Sequence, residues 1–367
     1  MPDQTAVGVI GEFERAFAAF LGAEHVLAFS SGTAAIHAMV AATGMQPGDE
    51  VLVGAYGFFA SASPLAYEGL RIRFVDVDRF GNIDADAAEA AISERTRAIM
   101  CVHMWGNPCD MPAFRELCDR KGLWLLEDCA HAHFARSRGV RVGTTSDMAS
   151  FSFNQKALTA GEGGALVCRT RSLYESAILF GHYNKRAISE VTPTHPDRRF
   201  AQTGYGLKYR PHTLAMAIGL DQLDKAADIE ARRRRNLERL RSALSDHPHL
   251  ELLASSDRGD EPGLYVAPLV VMNVDQPSEY RERLCRWIES VGGSEIDIPG
   301  STGLMTGLPL FGDNAETARS GPDTSRAADF ADRILKLPLW GYPGDEEIVD
   351  AYGSALAASA NFVSVGP

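Results

Sequence analysis

A single lysine, Lys156, lies in a segment whose composition suits covalent chemistry with a carbonyl group. Residues 151–164 read FSFNQKALTAGEGG: an aromatic run typical of a strand end, a polar turn, the lysine and a glycine-rich stretch. A lysine amine that is partly shielded from water is easily held neutral, and the neutral amine can form a Schiff base with a carbonyl carbon. The alternative interpretation is an ordinary solvated lysine beside a loop.

Ser31, Gly32 and Thr33 form a second candidate site, in this case for phosphate. They lie between an apolar strand predicted at residues 26–29 and a helix predicted at residues 34–42. A turn between strand and helix presents free backbone N–H groups and the positive end of the helix dipole to an anion, and hydroxyl groups add further hydrogen bonds. The same residue types also cap helices without any ligand, so the sequence leaves both interpretations open.

Asp128 is a third candidate, because it closely follows the buried strand predicted at residues 123–126. The carboxyl ends of parallel strands are where α/β sheets bind their ligands. A carboxylate at that edge is therefore placed to contact a ligand. A helix cap or a turn residue is the alternative interpretation.

A metal site is a rival interpretation of the residues around Asp128. If the chain is extended there, Cys129, His131 and His133 share one face, because side chains alternate with a period of two. Thiolate, imidazole and carboxylate groups are all metal ligands. The spacing matches no familiar zinc motif, however, and no second Cys/His cluster occurs at a standard spacing, so we predict no metal.

The elements around these candidates predict an α/β fold. Strand-like apolar runs alternate with helical stretches in the first two thirds of the chain, which favours a mostly parallel sheet with crossover helices. An amphipathic helix predicted at residues 227–244 leads into a smaller α+β region, and its four arginines at 232–235 are expected on its exposed face. We predict a large domain at residues 1–245 and a small domain at 246–367. Residues 300–324 are predicted as a loop over the cleft.

The order of these motifs resembles that of the DegT/StrS-type aminotransferases, which make amino sugars and aminocyclitols with pyridoxal 5'-phosphate. The resemblance extends from about Gly8 to the last predicted helix and is weaker after residue 245. It implies fold type I of the pyridoxal-phosphate enzymes, a mostly parallel sheet sandwiched by helices with a small α+β C-terminal domain. It also implies a homodimer in which each active site is completed by the partner subunit.

The resemblance implies a role for each matching residue. Lys156 would hold the cofactor as a Schiff base and move a proton, Asp128 would contact the ring nitrogen, and Phe58 would stack on the ring. The remaining cofactor-binding residues that it implies are Gly32, Thr33, Ala34, His131, Ser152 and, from the neighbouring subunit, Lys208. The candidate substrate-binding residues are Tyr183, Arg210, Tyr265 and Trp340.

This chain departs from the family pattern in three places. Only Asn154 and Gln155 separate the phenylalanine from Lys156, whereas the family has three residues in this turn. Lys208 stands where the family has asparagine, although a cation also suits a phosphate. Near Trp340 the family usually has a histidine, and the change can reshape the substrate pocket.

The implied reaction moves an amino group from glutamate or glutamine to a keto-sugar, a keto-cyclitol or a related ketone, in amino-sugar, aminocyclitol or antibiotic biosynthesis. The shortened lysine turn keeps two alternatives open. One is a pyridoxal-phosphate-dependent elimination or dehydration enzyme, and the other is a catalytically silent relative that acts as a partner subunit. In the known dehydratases of the family a histidine replaces the lysine, so the presence of Lys156 argues against that variant.

Composition and charge narrow the class of protein. The chain has 367 residues, of which 45% are hydrophobic, and a formal net charge of -12. The acidic balance argues against partners such as nucleic acid or an anionic membrane. No apolar run approaches the length of a membrane span, and residues 1–4 lack the features of a signal peptide. Six cysteines in a chain of this length predict reduced thiols. We therefore expect a cytoplasmic protein. Sequence signatures of dinucleotide sites, P-loop NTPases and α/β-hydrolases are missing.

Overall fold

The protein is described by a computed structural model that covers residues 8–254, 258–312, 318–320 and 323–362. The helices are α1 (Val9–Leu21), α2 (Gly32–Ala42), α3 (Ser63–Tyr67), α4 (Ala85–Ala91), α5 (Met111–Lys121), α6 (Arg171–Gly181), α7 (Lys185–Glu190), α8 (Thr213–Asp224), α9 (Ala226–Ala243), α10 (Pro277–Ser290), α11 (Pro309–Gly312), α12 (Ser325–Arg333) and α13 (Glu346–Phe362). The strands are β1 (His25–Phe29), β2 (Glu50–Gly54), β3 (Tyr56–Phe58), β4 (Arg71–Val75), β5 (Thr96–Val102), β6 (Trp124–Asp128), β7 (Arg136–Ser137), β8 (Val140–Arg141), β9 (Met148–Ser152), β10 (Gly164–Cys168), β11 (Leu250–Leu252), β12 (Val266–Val271), β13 (Thr302–Leu304), β14 (Ala318–Ser320) and β15 (Ile334–Pro338).

Eight strands form one large sheet in the order β1-β10-β9-β6-β5-β2-β4-β14. Strand β10 is antiparallel to both of its neighbours, while β9, β6, β5, β2, β4 and β14 are parallel to one another. The carboxyl ends of β6 and β9 therefore meet at one edge of the sheet, and these ends carry Asp128 and Ser152. The predicted mostly parallel α/β sheet is confirmed.

Helices cover both faces of the large sheet because side chains alternate along buried strands. On β2, Val51 and Val53 point into the core shared with α2 and α6, whereas Leu52 points into the core shared with α4 and α5. Helices α1 and α8 cover the latter face near β1, β9 and β10. The large unit thus has three layers, with the sheet between two layers of helices.

A second sheet, with the antiparallel order β11-β12-β15, belongs to the C-terminal part of the chain. Its two faces differ in what they pack against. Ala267 and Leu269 on β12 face a core built with α9, α10 and α13. Val266 and Val270 on the same strand face the core of the large unit. This small α+β unit therefore presents one of its sheet faces to the core of the large unit.

The segment predicted as a loop at residues 300–324 contains two short strands. Strand β13 pairs with β3, with Thr302 opposite Phe58, and β14 pairs with the edge strand β4, with Ala318 opposite Ile72. The prediction of a continuous loop is therefore wrong, and residues 313–317 and 321–322 lie outside the described part. Each of these strands is only three residues long and lies among polar and glycine residues, so neither gives a periodic signal.

Helix α9 occupies the predicted bridging position at residues 226–243, but one of its arginines is not on an exposed face. The Arg233 guanidinium donates hydrogen bonds to the backbone oxygens of Leu264 and Tyr265, just before β12. Arg233 thus ties the bridging helix to the start of β12. None of the helices in the described ranges has both the length and the apolar composition that crossing a bilayer requires.

Candidate active site

One cavity of about 430 Å³ lies at the carboxyl edge of the large sheet, within the size range typical of small-molecule sites. It is closed from the other side by the small unit and by the β13 segment. Eight of the residues predicted from sequence line it: Gly32, Thr33, Phe58, Asp128, His131, Ser152, Lys156 and Tyr265. Residues that are far apart in the sequence therefore meet at one place.

The predicted phosphate turn forms the start of α2. Ser31 is the N-cap, and its Oγ accepts a hydrogen bond of 3.1 Å from the backbone N–H of Ala34. The amide of Ala34 is thus engaged by the cap, and Ala34 does not line the cavity. Gly32 lies against β9, where an added Cβ would come within 2.8 Å of the Ser152 Cβ. The helix start, Gly32 and Ser152 together form a tight cradle in which an anion can approach the backbone closely.

The Asp128 carboxylate is buried, with both oxygens fixed by donors. The Ser61 hydroxyl donates to Oδ2 at 2.6 Å, and the Ala130 backbone N–H donates to Oδ1 at 3.0 Å. Both donors stabilise the ionised carboxylate, and the side chain is only slightly exposed. Asp128 is therefore a fixed negative group on the cavity wall, suited to hold a cation such as a protonated ring nitrogen.

The shortened turn before Lys156 is accommodated by one unusual backbone conformation. Gln155 has φ 45°, in the left-handed region that a residue with a side chain seldom adopts. Asn154 and Glu162 hydrogen-bond across the base of the same turn. Both Ser152 and Lys156 line the cavity. The shorter turn, with Gln155 in the left-handed conformation, therefore still brings both side chains to the site.

Lys156 sits in an environment that favours the neutral amine. Burial lowers the pKa of Lys156 below its ordinary value; the negative charge of Asp128 opposes this shift and the positive charge of Lys336 adds to it. The ammonium lies over the face of the Tyr265 ring, with Nζ 4.5 Å from the ring centre. A partly neutral amine is what a lysine needs to attack a carbonyl carbon or to accept a proton.

His131 lies between two aromatic rings. Its ring stacks on Tyr265 at 4.4 Å and on Trp105 at 5.6 Å between ring centres. The backbone N–H of Trp105 donates to Nδ1 of His131, which places the ring proton on Nε2. Burial, followed by the charge of Lys156, lowers the pKa of His131 well below its ordinary value, so the ring is neutral and offers one N–H to a ligand.

Four of the predicted residues lie away from the cavity of their own protomer. The backbone of Lys208 forms an isolated antiparallel bridge with that of His182, which follows the last residue of α6. The Arg210 guanidinium carbon lies 6.0 Å from the centre of the Tyr183 ring. Trp340 packs on Tyr352 in the core of the small unit. A single protomer therefore does not bring Tyr183, Arg210, Lys208 or Trp340 to the site, and their assignments stay predictions.

The geometric premise of the metal interpretation is wrong. Residues 129–135 form successive turns, with Ala132 N–H bonded to the Cys129 oxygen, and are not extended. His131 is held in the ring stack, and His133 packs between Phe151 and Phe153. Cys129 instead lies near the buried pair of His103 and Glu127, the one group of potential ligands among the described residues.

Several residues at the site were not singled out from the sequence. Ser61 holds Asp128, Trp105 stacks on His131, and Asn154 and Glu162 line the cavity beside Lys156. Ser61 lies 67 residues from Asp128 and carried no local signal. Trp105 adopts φ 58°, and the tryptophan–glycine turn at the end of a strand was the feature that could have indicated a special role.

Comparison with known proteins gives consistent matches. A sequence profile of the DegT/DnrJ/EryC1/StrS aminotransferase family matches residues 8–351. The GDP-perosamine synthase of Vibrio cholerae is 32% identical over 344 residues, which cover 92% of this chain and 88% of that protein. The L-glutamine:2-deoxy-scyllo-inosose aminotransferase of Streptoalloteichus tenebrarius is 35% identical over 240 residues, 64% of this chain and 56% of that protein.

A solved structure agrees with the sequence matches. The crystal structure of 3-amino-5-hydroxybenzoic acid synthase superimposes with a TM-score of 0.83 at 27% identity, covering 96% of this chain and 91% of that one. Two other GDP-perosamine synthases, from Escherichia coli O157:H7 and Caulobacter vibrioides, are matched over 60% and 62% of their length.

The family profile and the Vibrio cholerae relative both extend over nearly the whole chain, and the fold is that of the pyridoxal-phosphate enzymes of fold type I. The resemblance noted in the sequence is thereby confirmed, and with it pyridoxal 5'-phosphate as the cofactor of the family. The chain belongs to the DegT/DnrJ/EryC1/StrS aminotransferase family.

Proposed function

We propose that the protein is an aminotransferase that moves an amino group from glutamate or glutamine to a keto-sugar, a keto-cyclitol or a related ketone. The observation that carries the proposal is that Lys156, Asp128 and the Gly32 turn, from three separate parts of the chain, line one cavity. Relatives named as sugar and cyclitol aminotransferases support the choice of acceptor class, and one names L-glutamine as its donor.

The residues present fit pyridoxal 5'-phosphate. The cradle at the start of α2 suits the phosphate, since it has no room for a Cβ at Gly32 and presents a helix N-terminus. Asp128 is fixed where it can hold a protonated ring nitrogen, and Lys156 is the lysine on the cavity wall that can bind an aldehyde carbon. Bound there, the cofactor would supply a conjugated ring that withdraws electrons from the carbon bearing the amino group.

The chain's own residues then have distinct tasks. Lys156, whose pKa is lowered, accepts a proton at Nζ from the donor carbon that bears the amino group. In the second half of the reaction it gives a proton to the carbon of the ketone that receives the amino group. The donors Ser61 and Ala130 hold the Asp128 carboxylate in a fixed orientation on the cavity wall. His131 offers the Nε2 proton to a ligand oxygen without carrying a charge of its own. Tyr265 covers Lys156 and excludes water from that side.

A homodimer in the cytoplasm is the proposed state of the protein. Lys208 is outside the cavity of its own protomer, and Leu214 and Ile218, 69% and 48% exposed, lie one turn apart on α8. An apolar helix face of this kind suits a second copy of the chain. All six cysteines are unpaired, which fits a reducing compartment. Light scattering tests the dimer: a monomer at micromolar concentration would contradict it.

An absorbance spectrum of the purified protein with pyridoxal phosphate tests the function. We expect a visible band of the bound cofactor that is lost when L-glutamine or L-glutamate is added, as the amino group moves to the cofactor. A band that stays unchanged when any amino acid is added would favour the elimination alternative. The absence of any band would mean that the shortened turn prevents cofactor binding and that the chain is a silent partner.

A further inference from the structure

Lys336 is a second cation near Lys156, and it comes from the small unit. It lies on β15, opposite Pro268 of β12. Its strand neighbours Leu335 and Leu337 point into the core of the small unit, whereas Ile334 points into the core of the large one. Because side chains alternate along a strand, Lys336 points the same way as Ile334, toward the large sheet and the cavity edge.

The ammonium of Lys336 has one charged partner among the described residues, Asp297. The Nζ atom lies 3.3 Å from Oδ2 of Asp297, and the two backbones exchange reciprocal hydrogen bonds of 3.0 Å. This segment continues directly to Ser301 and Thr302, which line the cavity. The Lys336 side chain is 28% exposed and that of Asp297 56%, so the pair is reachable from solvent.

The charges of the pair act on groups that line the cavity. The charge of Lys336 acts on Lys156 and, more weakly than burial, on His131, lowering the pKa of both. The charge of Asp297 acts on Tyr265, whose pKa is raised mainly by burial, to about 12. Because Lys336 lies opposite Pro268, three residues after Tyr265, the pair is on the Tyr265 side of the cavity.

We infer that Lys336 binds the α-carboxylate of the amino donor, and that Asp297 holds the Lys336 side chain in place when no donor is present. The inference rests on the proposed aminotransferase function. The carbon that gives up its proton to Lys156 carries the donor's carboxylate, so a cation near Lys156 on the small-unit side of the site is where that carboxylate can be neutralised. An ion pair between an ammonium and an exposed carboxylate is weak, because water screens the two charges. The carboxylate of a donor can therefore replace that of Asp297 as the partner of Lys336.

Single-turnover kinetics of the holoenzyme with L-glutamine and L-glutamate test the inference. Absorbance of the bound cofactor gives the maximal rate and the donor concentration at half that rate. For Lys336→Met we expect the half-saturating concentration to rise about 10- to 100-fold, the effect of losing a charged hydrogen bond, with a much smaller change in maximal rate. Lys336→Arg should stay close to wild type. Lys121→Met, the same change on an exposed helix end, should leave both values unchanged.

Asp297→Asn separates substrate binding from a merely structural ion pair. If Lys336 acts on the donor, freeing it from Asp297 leaves the half-saturating concentration unchanged or lowers it. If the pair only braces the fold, Asp297→Asn weakens donor binding as much as Lys336→Met does, and that result overturns the inference. Equal half-saturating concentrations in wild type and Lys336→Met would also overturn it. A wild-type protein that responds to neither donor overturns the proposed function, and this inference with it.

Discussion

The Nζ atom of Lys156 lies 4.5 Å from the centre of the Tyr265 ring, and that ring stacks in turn on His131. The aromatic face favours the ammonium form of the lysine, whereas burial favours the neutral amine. Burial, opposed by the charge of Asp128, lowers the pKa of Lys156. Tyr265, which covers the lysine, comes from the small unit. The two units must therefore stay packed together for the site to be complete.

Replacing Lys156 with alanine removes the one lysine amine that lines the cavity among the described residues. We expect Lys156→Ala to form no borohydride-stable adduct with pyridoxal phosphate and to lose amino transfer by about 10³-fold or more. Mass spectrometry after reduction checks the adduct. Lys121→Ala, an exposed lysine at the end of α5, should keep the adduct at full occupancy. An adduct in Lys156→Ala would show that another lysine binds the cofactor.

Asp128→Asn keeps the shape of the side chain and removes its charge. With no negative group at the ring nitrogen, electron withdrawal by the cofactor weakens, and we expect turnover to fall by roughly a hundredfold or more. Ser61→Ala removes only the 2.6 Å hydrogen bond to Asp128 and should cost about tenfold. Both are measured as kcat with a saturating donor. Unchanged turnover in Asp128→Asn would contradict the assigned role.

Gly32→Ala tests the phosphate cradle. The new methyl group would come within 2.8 Å of the Ser152 Cβ, closer than atoms pack, so the α2 start or β9 must shift. We expect the dissociation constant of pyridoxal phosphate, from an absorbance titration, to rise at least about tenfold, equivalent to about 1.4 kcal/mol. Gly307→Ala is the matched control, because nothing lies within 4 Å of its added methyl group. Equal affinities in the two variants would rule out a tight cradle.

Gln155 bears the strain of the shortened turn. A left-handed conformation costs a residue with a Cβ about 1–2 kcal/mol, and a β-branched residue more. Gln155→Gly should therefore be at least as stable as wild type, and Gln155→Val less stable than the glycine variant by about 2 kcal/mol. Denaturant midpoints at equal slope measure the difference. Identical midpoints for the two variants would show that the turn is not strained.

The buried His133 makes stability depend on pH. Burial, with smaller contributions from Lys156 and Arg233, lowers its pKa to about 3, against 6.5 for the ordinary side chain. Between these values the unfolded chain binds a proton that the folded chain does not, so stability falls as pH drops below 6.5, by up to about 1.4 kcal/mol per unit. His133→Phe, in an aromatic surrounding, should flatten the unfolding free energy between pH 6.5 and 4.5. Parallel curves for wild type and variant would contradict this.

Much of the site could be read from the sequence because each part follows a strand. Gly32, Asp128 and Lys156 stand just after predicted apolar runs, and the carboxyl ends of parallel strands meet at one edge. Lys336 gave no such signal, since its partner Asp297 lies 39 residues earlier and the pairing of their backbones brings the two together. Ser61 is similar: its role exists only in the folded geometry.

Other misreadings have a shared physical cause. The extended conformation assumed for Cys129, His131 and His133 ignored the turns that buried backbone groups form among themselves. The arginines of α9 were expected to be solvated, yet the Arg233 guanidinium donates to the backbone oxygens of Leu264 and Tyr265. Local patterns identify which residues are polar, but they do not show which of them acquire a tertiary partner.

Strand β14 extends the large sheet next to β4, with Ala318 beside Ile72. The pairing joins residues 71–75 to residues 318–320, which leave the ribosome far apart in time. The edge of β4 must stay unpaired until residue 320 has been synthesised, and an open edge in a nascent chain is a template for aggregation. A polypeptide that ends before this strand keeps the β4 edge open, so it should be less soluble than the full chain.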